Sequence, residues 1–318
     1  MMVRTDIEHL PWPMRQDLHR ITAMLFETFA ETTKGRLSDR YRQGRILKLI
    51  LHGPQTRPDW HNIVPGEAFH LLAIVNHPRL ARREQDWRFV RDRLRRAWEV
   101  GEIAHPVRLA VHSLEQVNGA LTEGIPFFIT VATEGIALYA LDGTRLKSAR
   151  PLPASERRAR GLAEYGRWHG RASNFLLGAA FFQDRGNAPM AALLLHQACE
   201  HLYQCVAWSL TLHGVRTHAL DQLREVAETL DTRLCSAWPR ETSFERRAFS
   251  CLRRAYVEVR YGHSYRISAE ELAWTMERVA VLQRLVQDMC RERLEDLVPL
   301  DLPHPLCGSD EREHHAQL

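Results

Sequence analysis

The sequence lacks the features that would place it in a membrane or a secretory pathway. No apolar run approaches the roughly 20 residues that a helix needs to span a bilayer. The first segment, MMVRTDIEHLPWPMRQD, has no apolar core of the kind that a signal peptide carries. These absences predict a cytoplasmic protein that has no membrane partner.

Paired cysteines and a strong charge of one sign are also missing. The six cysteines lie in the second half without a Cys-x-x-Cys pair, which predicts reduced, largely buried thiols rather than disulfides or a zinc site. The formal net charge is only +4, so an anionic partner is permitted but needs a local basic patch.

The first half of the chain alternates between helical and strand-like patterns. The spacing of its apolar residues predicts three helices, over 14–43, 86–100 and 114–124. Its β-prone runs predict three strands, over 46–51, 69–75 and 107–113. The stretch FFITVATEGIALYAL (127–141) is typical of a β-hairpin with its turn near Glu134 and Gly135. Together these patterns predict a small α+β domain over residues 10–145.

The second half is helical after a linker at 146–155 that is rich in proline and serine. Ser155 is the expected N-terminal cap of the first helix. Apolar stripes predict five helices, over 156–184, 188–213, 218–231, 241–261 and 269–294. Their lengths and short connections predict an all-α antiparallel bundle over 156–294. The tail at 295–318 is expected to be mobile.

Several stretches, in one co-linear order, carry a family resemblance. In the first half they are GRILKLILHG, FHLLAIV and VHSLEQVNGALTEGIPFF, and in the second half LLLHQACEHLYQCVAWSL and RRAYVEVRYGHSYRIS. In this order they resemble the fused nucleotidyltransferase–HEPN proteins over roughly residues 10–295. The resemblance implies a small polymerase-β-like nucleotidyltransferase domain followed by a HEPN-type helical bundle.

The positions that carry nucleotidyl transfer in such relatives are altered here. Active relatives hold magnesium with carboxylates, because the metal neutralises the triphosphate during displacement. The resemblance maps the loop serine onto Pro54, the Asp-x-Asp pair onto Ala68 and His70, and the third aspartate onto Thr130. A methyl group, an imidazole and a hydroxyl are poor magnesium ligands. The sequence therefore predicts that transfer is lost and that no metal cofactor is bound.

The sequence leaves open whether the first half binds phosphate without a metal. The predicted remnant of the nucleotide cleft consists of Gly53, Arg57 and His70, with Arg45 and Lys48 as further cations. The alternative interpretation is an ordinary solvated basic edge.

The bundle carries an incomplete ribonuclease pattern. Active HEPN ribonucleases carry an arginine, four to six intervening residues and then a histidine, often followed by x-Tyr, so that a cation and an imidazole meet the scissile phosphate. Here RYGHSY offers Arg260, His263 and Tyr265 as catalytic candidates, but only two residues separate the arginine from the histidine. The alternative is that Arg260 and Tyr261 anchor helix packing.

The favoured hypothesis is a pseudoenzyme, a degenerate nucleotidyltransferase domain fused to a HEPN domain. It would bind a nucleotide, RNA or a protein partner in a regulatory, toxin–antitoxin-like or defence role, as a homodimer through residues 156–294. One alternative is a metal-independent ribonuclease that uses Arg260 and His263 across the dimer. The other is a nucleotidyltransferase with residual activity.

Overall fold

The computed structural model describes residues 3–34, 44–59, 68–262 and 264–297. Within these ranges the chain has a mixed α+β half followed by a helix-rich part, as the sequence predicts. Most of the predicted mobile tail, 295–318, lies outside the described residues.

A mixed sheet forms the centre of the first half. Its described strands are β1 (Ile46–His52), β2 (Phe69–Val75), β3 (Val107–Ser113) and β4 (Ile136–Ala140). The order is β3-β2-β1-β4, with β1 antiparallel to β2 and β4, and β2 parallel to β3. The three strands predicted from the sequence are confirmed, because runs such as FHLLAIV are continuous β-prone segments.

Helices cover both faces of this sheet. Those in the described part are α1 (Trp12–Thr33), α2 (Pro78–Arg82), α3 (Glu84–Glu99), α4 (Leu114–Thr122) and α5 (Pro126–Glu134). One core lies between the sheet and helices α1 and α3, and a second lies between the sheet and helices α4 and α5. Burial on both faces explains why all seven residues of β2 are buried. Helix α1 ends at Thr33, earlier than predicted, and residues 35–43 lie outside the description.

The predicted hairpin over 127–141 is wrong in its first half. Pro126 begins helix α5, which ends at Glu134, and only β4 is a strand. Proline favours the first turn of a helix, and Phe128 and Val131 pack onto the sheet from that helix. A short apolar run does not reveal its period, so burial against the sheet decides for helix here. Thr130 therefore lies on a helix and not on a strand.

The second half forms the predicted series of helices. They are α6 (Ala154–Asp184), α7 (Ala188–Thr211), α8 (Leu220–Leu230), α9 (Ser243–Tyr261) and α10 (Ala269–Glu295). Ser155 is not a cap, because helix α6 begins at Ala154 with Pro153 before it. Capping boxes begin α9 at Thr242 and α10 at Ser268.

Helix α7 runs through the middle of the helical part. It has 24 residues, and the buried ones occupy nearly every side of the helix. Within this core the indole N–H of Trp238 donates to the hydroxyl oxygen of Tyr203 at 2.8 Å. Of the cysteines that the structure describes, all are free thiols and only Cys235 is not buried, which confirms the prediction that they are largely buried.

The linker between the halves is tied to helix α4. The Lys147 amide donates to the side-chain oxygen of Asn118 at 2.8 Å, and the Arg150 amide donates to the Leu121 carbonyl at 3.0 Å. Gly124 has a φ of 77°, and a Cβ on it would lie 2.7 Å from the Arg150 carbonyl oxygen. Only glycine fits this close approach, which holds the linker on the sheet half.

Candidate functional site

Three polar side chains form a row across one face of the sheet. His52 pairs with His70 between β1 and β2, and His70 pairs with Arg108 between β2 and β3. Side chains of paired residues point to the same face, and each strand alternates its faces with a period of two. The row therefore lies where β1 ends and where β2 and β3 begin.

The loop after β1 brings Arg57 beside this row. Gly53 adopts a φ of 88°, which favours glycine, and the chain then makes a 3₁₀ turn over Pro54–Thr56. The Thr56 amide closes the turn on the Gly53 carbonyl at 3.1 Å. Arg57 follows and forms an ion pair with Glu134 at 3.4 Å, in which both side chains are about half exposed.

Glu225 on helix α8 joins the bundle to the sheet row. Its carboxylate lies 3.5 Å from His70 and 3.0 Å from Arg108, with 16% of the side chain exposed. Burial acts to raise the pKa of Glu225, but His70 and Arg108 beside it outweigh burial and lower the pKa overall. The carboxylate is therefore ionised, with Oε2 bonded by Arg108 and Oε1 near His70 but without a hydrogen bond among the described residues.

An imidazole and phenyl wall lies between the two halves. His213 of the bundle stacks on Phe127 of helix α5, with ring centroids 4.3 Å apart. His112 lies 5.3 Å from His213, and His52 lies 5.4 Å from Phe127. The faces of these weakly polar rings form a surface on which a planar group can stack.

The histidines of this wall are neutral at physiological pH. Burial is the main cause that lowers the pKa of His52 and His213 to about 3 and that of His112 to about 4. Neighbouring imidazoles and Arg216 lower these pKa values further. The wall therefore adds no charge to the cavity.

These groups line a cavity of about 940 Å³ between the two halves. We call the part formed by His52, Gly53, Arg57 and His70 the sheet side, and the part formed by Arg157, Arg216 and Arg293 the bundle side. The volume lies at the upper end of the roughly 300–1,000 Å³ typical of small-molecule sites.

The residues present do not fit magnesium. His70 offers nitrogen and Thr130 a neutral hydroxyl, whereas magnesium prefers carboxylate oxygens. The carboxylates of Glu84, Glu134 and Glu225 are each held by an arginine ion pair. Across the part of the chain that the structure describes, no three His, Cys, Asp or Glu side chains converge as a metal site.

The predicted cleft residues meet in one place. Gly53, Arg57, His70 and Thr130 all line the cavity. Ala68 instead lines an adjoining cavity of about 490 Å³, which shares Arg108 with the larger one. Gly53, Arg57, His70 and Thr130 thus share one cavity, although Thr130 lies on a helix and not on the predicted strand.

The two other predicted cations, Arg45 and Lys48, take no part in the cavity lining. Lys48 lies within strand β1 with its residue surface only 7% exposed. Arg45, just before the strand, is exposed.

The ribonuclease candidates lie apart from this cavity. Arg260 is exposed and stacks over the rings of Tyr256 and Tyr261 at 4.8 and 4.9 Å. Tyr265 donates its hydroxyl to the Cys251 carbonyl at 3.1 Å, and His263 lies outside the described residues. Tyr261 is 69% exposed, so the alternative that it anchors helix packing is wrong.

Several residues of the site were missed from the sequence. They include Glu225, His213 and Arg216 of the bundle, and Arg108 and Phe127 of the sheet half. The alternation in VRLAVHS places Arg108 and His112 on one strand face, which was an available signal. The three bundle residues reach the site only through the packing of the two halves, which no local pattern reports.

In comparisons with known proteins, no family model and no curated protein matches the chain. The resemblance to nucleotidyltransferase–HEPN fusions is therefore an interpretation of the motifs quoted above. Within the described ranges, no helix combines the length and the apolarity required to cross a bilayer.

Proposed function

We propose that this chain is a degenerate nucleotidyltransferase-like protein that binds a nucleotide between its two halves and does not transfer it. The helical half would be a HEPN-type bundle, and the protein would act as a regulatory binding module. It would pair through residues 156–294, so that a second copy or another protein reads the ligand state. These assignments follow from the motif resemblance and from the composition of the cavity.

One observation carries the proposal. The cavity combines cations and neutral aromatic rings with glutamates that are already ion-paired. A nucleotide offers the complementary groups, an anionic phosphate for the cations and a flat base for the rings. It needs no metal to bind them. Transfer chemistry needs free carboxylates for metal, and the described cavity residues offer none.

Binding of ATP in the presence of EDTA tests this function. Isothermal titration of the full chain should give one saturable site, with an affinity that added magnesium does not increase. Phe127→Ala should weaken binding because it removes the ring that stacks on His213. Phe181→Ala, at an exposed position on α6, removes the same ring elsewhere and should leave binding unchanged.

Labelled ATP separates binding from residual transferase activity. Incubation with magnesium or manganese should leave neither protein nor RNA labelled. Label that appears and is then lost on chelation would contradict the proposal and support the transferase alternative.

The ribonuclease alternative has its own experiment. Cleavage of tRNA or mRNA that resists EDTA and disappears in both Arg260→Ala and His263→Ala would establish it. No contact among the described residues favours it, because the Tyr265 hydroxyl is engaged by a backbone carbonyl.

A further inference from the structure

The charges that line the cavity do not balance. Its lining includes six arginines and two glutamates. Arg57 is paired with Glu134, Arg91 with Glu84, and Arg108 with Glu225, which lines the adjoining cavity. Three of the six arginines are thus neutralised by ion pairs, and all three lie on β3, on α3 or in the loop after β1.

The other three arginines belong to the helical half. Arg157 lies in the first turn of α6, Arg216 in the loop after α7, and Arg293 near the end of α10. None of them forms an ion pair with any residue that the structure describes. Three separate elements thus bring arginines without an ion pair in the described ranges to one cavity, and of these Arg293 also lies near enough to Asp231 to lower the pKa of that carboxyl.

The guanidinium of Arg157 is partly buried and is not fully hydrated by solvent. Its Nη2 donates to the Leu210 carbonyl at a long 3.4 Å, and its Nε is buried without a hydrogen-bond partner among the described residues. Burial and then the charge of Arg293 lower the pKa of Arg157. Two guanidinium groups that disfavour each other are both stabilised when an anion binds between them.

The loop that carries Arg216 is held in place before any ligand binds. The Gln204 side chain donates to the Val215 carbonyl at 2.6 Å and accepts from the Val215 amide at 3.2 Å. Gly214 packs so closely on the Trp208 indole that a Cβ would lie 2.2 Å from its nitrogen. A fixed loop reduces the entropy lost when Arg216 engages a ligand.

The same loop connects the cations to the stacking wall. His213, three residues before Arg216, stacks on Phe127 and carries no charge. A ligand with a phosphate group and an aromatic base thus meets both of its complementary surfaces within a few residues of this loop.

We propose that Arg157, Arg216 and Arg293 bind the polyphosphate of a nucleoside triphosphate, with the base against the Phe127 and His213 wall. This inference rests on the proposed function and makes it specific. It assigns the phosphates to the bundle side, whereas the loop at Gly53 and Arg57 would hold them if the cleft worked as in active nucleotidyltransferases. The phosphate site is then supplied by the helical half of the chain.

The test compares single charge-neutralising variants by titration with ATP in EDTA. Arg157→Gln, Arg216→Gln and Arg293→Gln should each weaken ATP binding about tenfold or more, because each loses a charge-assisted hydrogen bond. Arg57→Gln should weaken it no more than about twofold, because Glu134 already neutralises that arginine. Arg171→Gln, on the exposed face of α6, removes the same charge outside the cavity and serves as the matched control.

The ligand series tests the two parts of the proposed pose. The affinity of the wild-type chain should fall from ATP to AMP to adenosine, and tripolyphosphate should bind more weakly than ATP. Arg216→Lys keeps the charge and should retain most of the affinity that Arg216→Gln loses. Thermal unfolding of each variant shows that it folds, since Arg216 and Arg293 are exposed and make no ion pair among the described residues.

The outcomes that overturn the inference are distinct from failure of the proposed function. A wild-type chain that does not bind ATP overturns both. A wild-type chain that binds ATP, with Arg57→Gln more damaging than Arg216→Gln or Arg293→Gln, overturns only the assignment of the phosphates. Equal affinity for tripolyphosphate and ATP overturns the placement of the base.

Discussion

The sheet side and the bundle side of the cavity both carry cationic side chains, but among the described residues those of the sheet side are ion-paired and those of the bundle side are not. Arg57 and His70 on the sheet side each have a glutamate partner, whereas Arg157, Arg216 and Arg293 have none among the described residues. An arginine beside an ionised carboxylate attracts a phosphate less strongly than an arginine without such a partner. The comparison teaches that two arginines lining one cavity can differ in their availability to an anion, and that the motif does not reveal this difference.

The wall between the two sides contains neutral histidines. The largest expected effect is therefore a loss of stability when acid protonates them. The folded-state pKa values of His52, His112 and His213 lie at about 3 to 4, below the ordinary value of 6.5. The unfolded chain therefore takes up these protons first as the pH falls below about 6.5. The free energy of unfolding should fall between pH 6.5 and pH 4, by at most about 1.4 kcal/mol per pH unit for each histidine.

Urea denaturation at several pH values between 7.5 and 4.5 measures this slope. His52→Asn should reduce this slope by the contribution of one histidine. His19→Asn, on the exposed face of α1, is the control and should leave the slope unchanged. A free energy of unfolding that does not change over this range would contradict the neutral wall.

Removal of the Glu225 carboxylate should make the sheet side resemble the bundle side. Glu225→Ala leaves Arg108 and His70 without their shared partner and should destabilise the chain by about 2 kcal/mol. This is less than for a fully buried pair, because Arg108 is 29% exposed. Glu134→Ala, which breaks the half-exposed pair with Arg57, should cost no more than about 0.5 kcal/mol. Equal losses in urea denaturation would refute this difference.

A bulkier residue at Gly214 should disturb the bundle side alone. The added methyl group of Gly214→Ala meets the Trp208 indole, so the loop must shift, at a cost of about 1–2 kcal/mol. ATP affinity should fall with it, because Arg216 moves with the loop. Gly166→Ala has open space in the interior of α6 and should raise stability by about 0.5–1 kcal/mol. Thermal unfolding and ATP titration of the two variants measure both effects.

The smallest expected effect is the release of Arg57. Glu134→Gln removes the carboxylate from an exposed pair, so a phosphate gains a second available cation. The affinity for ATP should rise by about twofold to threefold, equivalent to about 0.5 kcal/mol. An unchanged affinity would show that the ligand does not extend to the sheet side.

Much of the fold was predictable because its elements carry strong local patterns. Strands β1 and β2 are continuous β-prone runs, and the helices of the second half have long apolar stripes. The segment FFITVA was not predictable in the same way. Its residues suit a strand or a buried helix equally well, and Pro126 together with burial against the sheet decides for helix.

The site was predictable only where two adjacent strands form it. Gly53 follows His52 at the end of β1, and His52 pairs with His70 of β2, so a sequence motif locates both Gly53 and His70. Glu225 and Arg216 approach from elements more than a hundred residues away along the chain. Their position depends on how the halves pack, and the partner that neutralises Arg57 is likewise set by tertiary structure.

The two hydrogen bonds that the linker amides donate to helix α4 have a consequence for how fast a ligand enters and leaves. Lys147 and Arg150 fasten the chain to the sheet half immediately before helix α6 begins. A wide swing of the helical half would have to break these bonds and the contact at Gly124, at a cost in activation energy. The ligand is therefore expected to enter and leave by diffusion through the opening of the cavity, without a slow movement of the two halves. Its residence time is then set by the strength of its contacts with the protein.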